Sequence, residues 1–161
     1  MPPGETIPGG WDPSVYVQTA AQISQQGGLL FDHPDVAAQP PHLQEILFRD
    51  VHGIPEPFGG MRLFEGKVTP QFYHLYPSLM ALVISLTGSV RAALWVNPLL
   101  NGVSILLMYR FASCWTGHRR WGALAALLML LLPLQIWQAK FSTAEMLAQV
   151  LILSGTGSLL Q

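Results

Sequence analysis

The chain has 161 residues, 50% of them hydrophobic and only 11% charged, with a mean hydropathy of +0.36. Soluble domains carry about 25% charged residues, so this composition excludes an ordinary water-soluble globule, and the net charge of −1 excludes a nucleic-acid partner recruited by bulk electrostatics. A single cysteine, Cys114, excludes an intrachain disulfide framework and any cysteine-based zinc site.

Charge is distributed unevenly along the chain. Residues 1–70 hold eight acidic and three basic residues, a net −5, together with ten of the thirteen prolines. Residues 71–161 hold five Lys/Arg and one acid, Glu145, a net +4, and nearly all the long apolar runs. The pattern predicts an all-α membrane protein. An extracytoplasmic loop with short interfacial helices (1–70, then 71–90) is followed by a transmembrane helix bundle over 91–161.

Met1–Trp11 contains no basic stretch followed by an apolar run and is no signal peptide. Gly10-Trp11-Asp12-Pro13 then opens a helix over 13–26. Pro13 suits the first helical position and Asp12 the N-cap. Val15, Thr19 and Ile23 share one stripe, Gln18, Gln22, Gln25 and Gln26 lie off it, and Gly27-Gly28 ends the helix. Asp12 has two compatible readings, a helix cap and a general base held beside the membrane.

The Pro-rich loop carries His33, His42 and His52 with Asp32, Asp35 and Asp50. Asp32-His33-Pro34-Asp35 matches no established metal-ligand spacing; it reads as solvated loop, and no metal is expected. The 13 residues 75–87 are too few to cross a bilayer, which takes about 20. They read as an amphipathic helix in the interface, with Tyr73 and Tyr76 at headgroup depth.

Spans are expected at about 91–113, 120–140 and 143–161. Asn97, Asn101 and Ser104 form a polar stripe in the first, facing neighbouring helices, and Pro98 adds a kink. A continuous helix from 121 to 161 would be roughly 60 Å long, twice the hydrocarbon thickness. Ser142-Thr143-Ala144-Glu145 supplies the break as a capping box. Gly155-Thr156-Gly157 lacks the lysine and strand of a phosphate loop and reads as a site of close helix packing. Gly117-His118-Arg119-Arg120 favours the cytoplasmic side, with Arg110 snorkelling the same way. Residues 1–90, Arg91 and the Lys140–Glu145 turn then share the extracytoplasmic face, and at least one span is expected upstream of Met1.

His74, Arg91 and Lys140 read singly as interfacial anchors; as a set they suit a lipid-phosphate substrate, which needs donors at that depth. Glu145 reads as a capping carboxylate or a functional one.

In this order the motifs resemble the GT-C superfamily of integral-membrane glycosyltransferases, closest to the protein O-mannosyltransferase and aminoarabinose-transferase type. Gly10-Trp11-Asp12-Pro13-Ser14-Val15-Tyr16 is similar to the acidic motif opening that family's first loop. Tyr73-His74-Leu75-Tyr76-Pro77 is similar to its interfacial helix, and Val90-Arg91-Ala92-Ala93 to the arginine opening the next span. Tyr109 with Gly117-His118-Arg119-Arg120 is similar to its cytoplasmic turn. Pro133-Leu134-Gln135-Ile136-Trp137, Lys140 and Glu145 are similar to the end of the following helix. The chain departs from the pattern in having no first span and a single acid, Asp12, where many relatives carry an adjacent pair.

The resemblance implies an inverting transfer of a sugar from a polyprenyl-phosphate donor to a hydroxyl of a lipid, glycan or protein acceptor. No cofactor is implied. Asp12 would be catalytic, as base. Arg91 and Lys140, with His74, would bind substrate through the departing phosphate, and Tyr16 and Glu145 would position the sugar or orient a basic partner. The expected setting is a multi-pass protein of a cell membrane, the bacterial inner membrane by analogy, with membrane lipids as further partners. The competing expectation is a non-enzymatic membrane protein, a transporter fragment or assembly subunit.

Overall fold

The computed structural model describes residues 12–32, 38–40, 42–43, 48–51, 54–57, 61–64 and 67–159. Most of these are helical, and the chain divides at Ala93–Leu94 into two compact units. The reason is local: the four-residue helix Val90–Ala93 packs against the helix before it, Leu75–Thr87.

In the first unit, α1 (Asp12–Gln26) ends where Gly27 turns left-handed at φ 71°, its N–H returning to the carbonyl of Ile23 at 2.9 Å. Two antiparallel hairpins follow, which the sequence reading of this loop does not include. They are β1 (Phe48–Val51) with β2 (Ile54–Pro57), and β3 (Met61–Phe64) with β4 (Lys67–Pro70). Phe31 exchanges both backbone hydrogen bonds with Val68, at 3.1 and 3.0 Å, so the segment after α1 is tied to β4. The hairpins are four-residue strands, too brief for a period-2 pattern to stand out among the prolines.

Next come α2 (Leu75–Thr87) and α3 (Val90–Ala93). Tyr76, Met80 and Ile84 recur at helical spacing on the buried face of α2, and Val15, Tyr16, Thr19 and Ala20 are buried on α1, which packs against it. Tyr76 is thus 1% exposed and packed inside the protein, whereas Tyr73, ahead of the helix, is 91% exposed. Leu75, Leu82 and Leu86 remain exposed on another face of the same helix. Gly88, at φ 69°, ends α2 with its N–H on Ile84.

The second unit comprises α4 (Val96–Thr116), α5 (Arg119–Leu131), α6 (Pro133–Lys140) and α7 (Glu145–Ser158), with α5, α6 and α7 all packed against α4. Among the described residues, the run Val90–Thr116 is long and apolar enough to cross a membrane, and α5 with α6 forms a second such length bent by 62°. The span expected over 120–140 is thus a bent one. Pro133 lacks an N–H and disfavours helical geometry in the residue before it, so Leu132 is extended at ψ 119°. Pro98 lies in the first turn of α4, where no intrahelical donor is required; the interruption falls ahead of it, at Leu94 and Trp95. As described, α7 is 14 residues, about 21 Å at 1.5 Å per residue, shorter than the hydrocarbon layer.

Two further expectations are corrected. The capping box is not formed: α7 begins after Ala144 with no side-chain cap, and Ser142 is buried. Gly155 and Gly157 approach nothing. Close packing occurs instead at Gly122, where a Cβ would meet the Ser113 side chain and lie 2.6 Å from the carbonyl oxygen of Tyr109.

Candidate functional site

Four of the sequence-selected residues belong to the first unit. Asp12 opens α1 and is exposed. Tyr16, one turn on, is buried, its ring 5.2 Å from that of Phe72 and 5.4 Å edge-on from that of Tyr76. An edge-to-face aromatic pair contributes about 0.5–1.5 kcal/mol beyond its buried area, so the Tyr16 ring helps hold α1 against α2. His74 caps α2 through its backbone, its carbonyl accepting from the N–H of Ser78 at 2.9 Å. Its side chain is half-buried, and Nδ1 is shielded without a hydrogen-bond partner. Arg91 is exposed on α3. The structure thus gathers Tyr16 near the start of α2, whereas His74 and Arg91 flank opposite ends of that helix, whose 13 residues span about 20 Å.

Lys140 and Glu145 belong to the second unit and bracket the turn between α6 and α7. Lys140 is the last residue of α6, where a cation is favoured by the helix dipole, and Glu145 the first of α7, where an anion is. The two form no ion pair with each other. Lys140 is half-buried and lines a groove of about 310 Å³ with Pro98, Asn101, Leu130, Ile136 and Ala139. One cation and one amide therefore stand in an otherwise apolar wall.

What shapes this turn is Asn97, which the sequence marks only as part of a polar stripe. Its side-chain amide donates to the carbonyls of Gln138 at 3.3 Å, Thr143 at 3.1 Å and Phe141. Carbonyls in the last turn of a helix have no intrahelical donor; Asn97, 1% exposed, supplies one from another helix. One turn deeper, Gln135 Nε2 donates to Asn101 Oδ1 at 2.7 Å and Gln149 Oε1 at 3.0 Å, and Gln149 Nε2 donates back to Gln135 Oε1 at 3.2 Å. In the sequence, Gln135 belongs to the Pro133–Trp137 motif, and Gln149 carries no motif. The signal available was that both amides interrupt apolar runs.

Asp32 lies 3.8 Å from Lys67; the rest of its motif, His33, Pro34 and Asp35, and also His52, lie outside the described residues. Among the described residues no three His, Cys, Asp or Glu side chains gather as metal ligands. Compared with models of known families, with curated proteins and with solved structures, the chain has no match.

Proposed function

We propose that this chain is part of a GT-C-type membrane glycosyltransferase that moves a sugar from a polyprenyl phosphate to an acceptor hydroxyl. The observation that carries the reading is the groove at Lys140. A half-buried lysine and Asn101, in a wall of Pro98, Leu130, Ile136 and Ala139, suit a ligand with one anionic group and a hydrocarbon tail. The exposed leucines of α2 and the apolar length Val90–Thr116 are consistent with work at a membrane surface.

In this reading the acceptor oxygen attacks the anomeric carbon from the face opposite the phosphate and inverts that centre. The bond from the anomeric carbon to the phosphate oxygen breaks, and both its electrons leave with the phosphate. Asp12, exposed at the start of α1, takes the acceptor proton. Because the leaving group departs as a stabilised anion, no second carboxylic acid is needed, in contrast to a glycosidase. Lys140 stabilises the charge developing on the phosphate; Glu145 contacts the sugar or a neighbouring cation. Arg91 and His74, flanking opposite ends of α2, do not act together on one phosphate and serve as separate anchors at the membrane surface. Tyr16 contributes through its packing against Phe72 and Tyr76 and positions α1 rather than the sugar. The setting is the extracytoplasmic rim of a multi-pass bacterial inner-membrane protein.

The test is transfer of radiolabelled sugar from a polyprenyl phosphate in membranes of cells expressing the natural protein. Asp12→Asn is expected to lower transfer by about 10²–10⁴-fold while membrane insertion is unchanged. A near wild-type rate for that variant removes the base.

One observation favours the competing transporter reading. The 62° break between α5 and α6 is the discontinuous helix common at substrate sites of secondary transporters. Against it, the residues beside the break, Leu132, Pro133 and Gln135, are uncharged, and the nearest cation, Lys140, lies at the far end of α6. Uptake of substrate into vesicles, without sugar transfer, would decide for it.

A further inference from the structure

The turn joining α4 to α5 lies at the end of the second unit away from Lys140. Thr116 Oγ1 donates to the carbonyl of Ala112 at 2.7 Å and accepts the N–H of His118 at 3.4 Å, and Gly117 turns left-handed at φ 71°. These contacts hold His118, Arg119 and Arg120 on a tight turn. With Trp121 they line an open depression of about 740 Å³. Arg110 is exposed toward the same end of α4, and Trp115 and Trp121 are 69% and 56% exposed.

Among the described residues, no acidic side chain pairs with these cations. No acidic residue occurs between Glu65 and Glu145. Glu145 opens the helix whose preceding turn is bonded to Asn97, and from Asn97 to Thr116 α4 rises roughly 30 Å. That exceeds the physiological screening length of about 8 Å several-fold. The arginines therefore present a positive field, flanked by two indole rings of the kind that settle at headgroup depth.

We propose that this turn is a docking site for anionic phospholipid, taking the phosphodiester headgroup between Arg119, Arg120 and His118 with the indoles of Trp115 and Trp121 at the acyl boundary. A free phosphate would use the cations but leave the exposed indoles without a partner, which is why the site is assigned to lipid. The inference rests on the apolar run Val90–Thr116 lying in a bilayer and not on sugar transfer.

The test uses the protein in phosphatidylcholine vesicles containing a minor fraction of brominated lipid, which quenches nearby tryptophan. Each cation at a lipid surface is worth about fivefold in partitioning. Brominated phosphatidylglycerol is therefore expected to quench with at least about fivefold higher apparent affinity than brominated phosphatidylcholine. Trp121→Phe lowers the amplitude of that quenching. The Arg119→Gln/Arg120→Gln pair brings the preference close to one. Should that variant fail to insert, the wild-type protein in ~1 M salt, where screening falls to about 3 Å, gives the same loss. Equal quenching by the two lipids overturns the site, as does a preference that survives the double substitution. Abolition by inorganic phosphate would assign the turn to a free anion instead. Sugar transfer plays no part in any of these readouts, so failure of the glycosyltransferase reading would leave them unchanged.

Discussion

The side-chain amide of Asn97 donates to the carbonyl of Thr143 at 3.1 Å, joining the first turn of α4 to the turn that opens α7. The same nitrogen reaches Gln138 and Phe141, so one buried side chain holds both flanks of Lys140. Asn97→Leu leaves these carbonyls without their donor, and a buried unsatisfied group costs about 1–3 kcal/mol. Asn97→Asp keeps the shape but, ionised, can only accept, so it is expected to be at least as destabilising. Thermal unfolding of the detergent-purified protein checks this; an aspartate variant as stable as wild type would show that the donors do not matter.

Gln135 and Gln149 exchange two hydrogen bonds between α6 and α7. Side-chain bonds between membrane helices average about 0.6 kcal/mol and reach about 1.7 kcal/mol. A double-mutant cycle of Gln135→Leu and Gln149→Leu is expected to return a coupling in that range. Purely additive effects would mean that the two amides act independently.

Gly122 and Gly155 make a paired test of where helices approach closely. A methyl group at Gly122 would press on the carbonyl of Tyr109, which cannot move alone, and overpacking of this kind costs about 1–3 kcal/mol. Gly155 has open space around it, so Gly155→Ala is expected to be neutral or to stabilise by up to about 1 kcal/mol through helix propensity. Chemical denaturation of the two variants should order them Gly155→Ala above Gly122→Ala.

Tyr16 separates a structural from a substrate-contacting role. Truncation to alanine removes a ring packed on Phe72 and Tyr76 and should cost about 3–5 kcal/mol by analogy with other buried aromatics. Tyr16→Phe keeps the ring and is expected to retain sugar transfer. If the phenylalanine variant folds normally but loses transfer, the hydroxyl has a direct part in the reaction.

Cys114 is exposed near the end of α4, so its labelling reports the side of the membrane rather than burial. With Arg119 and Arg120 on the cytoplasmic side, a membrane-impermeant thiol reagent should label it only after cells are permeabilised. Labelling in intact cells would invert the topology and place Lys140 and Glu145 on the wrong face for a polyprenyl-linked sugar.

The helices of the second unit were legible because long apolar runs bounded by Gly117 and by polar turns admit few other readings. The stripe Asn97, Asn101 and Ser104 was also visible, since i, i+4 and i+7 place its members on one face. What each amide bonds to was not visible, because the acceptors of Asn97 lie more than forty residues away and are backbone atoms without a residue signature. The capping box failed for a related reason. Its local pattern is sound, but Asn97 holds the Thr143 carbonyl and Ser142 is packed inside, and the helix starts two residues later than the box would place it.

Of the candidate site, Asp12, Lys140 and Glu145 are found at helix ends, where local chemistry of caps and dipoles places charged residues. The sequence by itself determined the apolar character of residues 71–161, the helix ends at Gly27, Gly88 and Gly117, and the split between an acidic and a basic half. These are properties of neighbouring residues and of backbone preference. The tertiary structure decided that Tyr16 and Tyr76 face inward, that α5 and α6 bend at Leu132, and that Gly122 and not Gly155 is the point of close contact. Each depends on which surfaces meet, and that is set by packing between segments far apart in the chain.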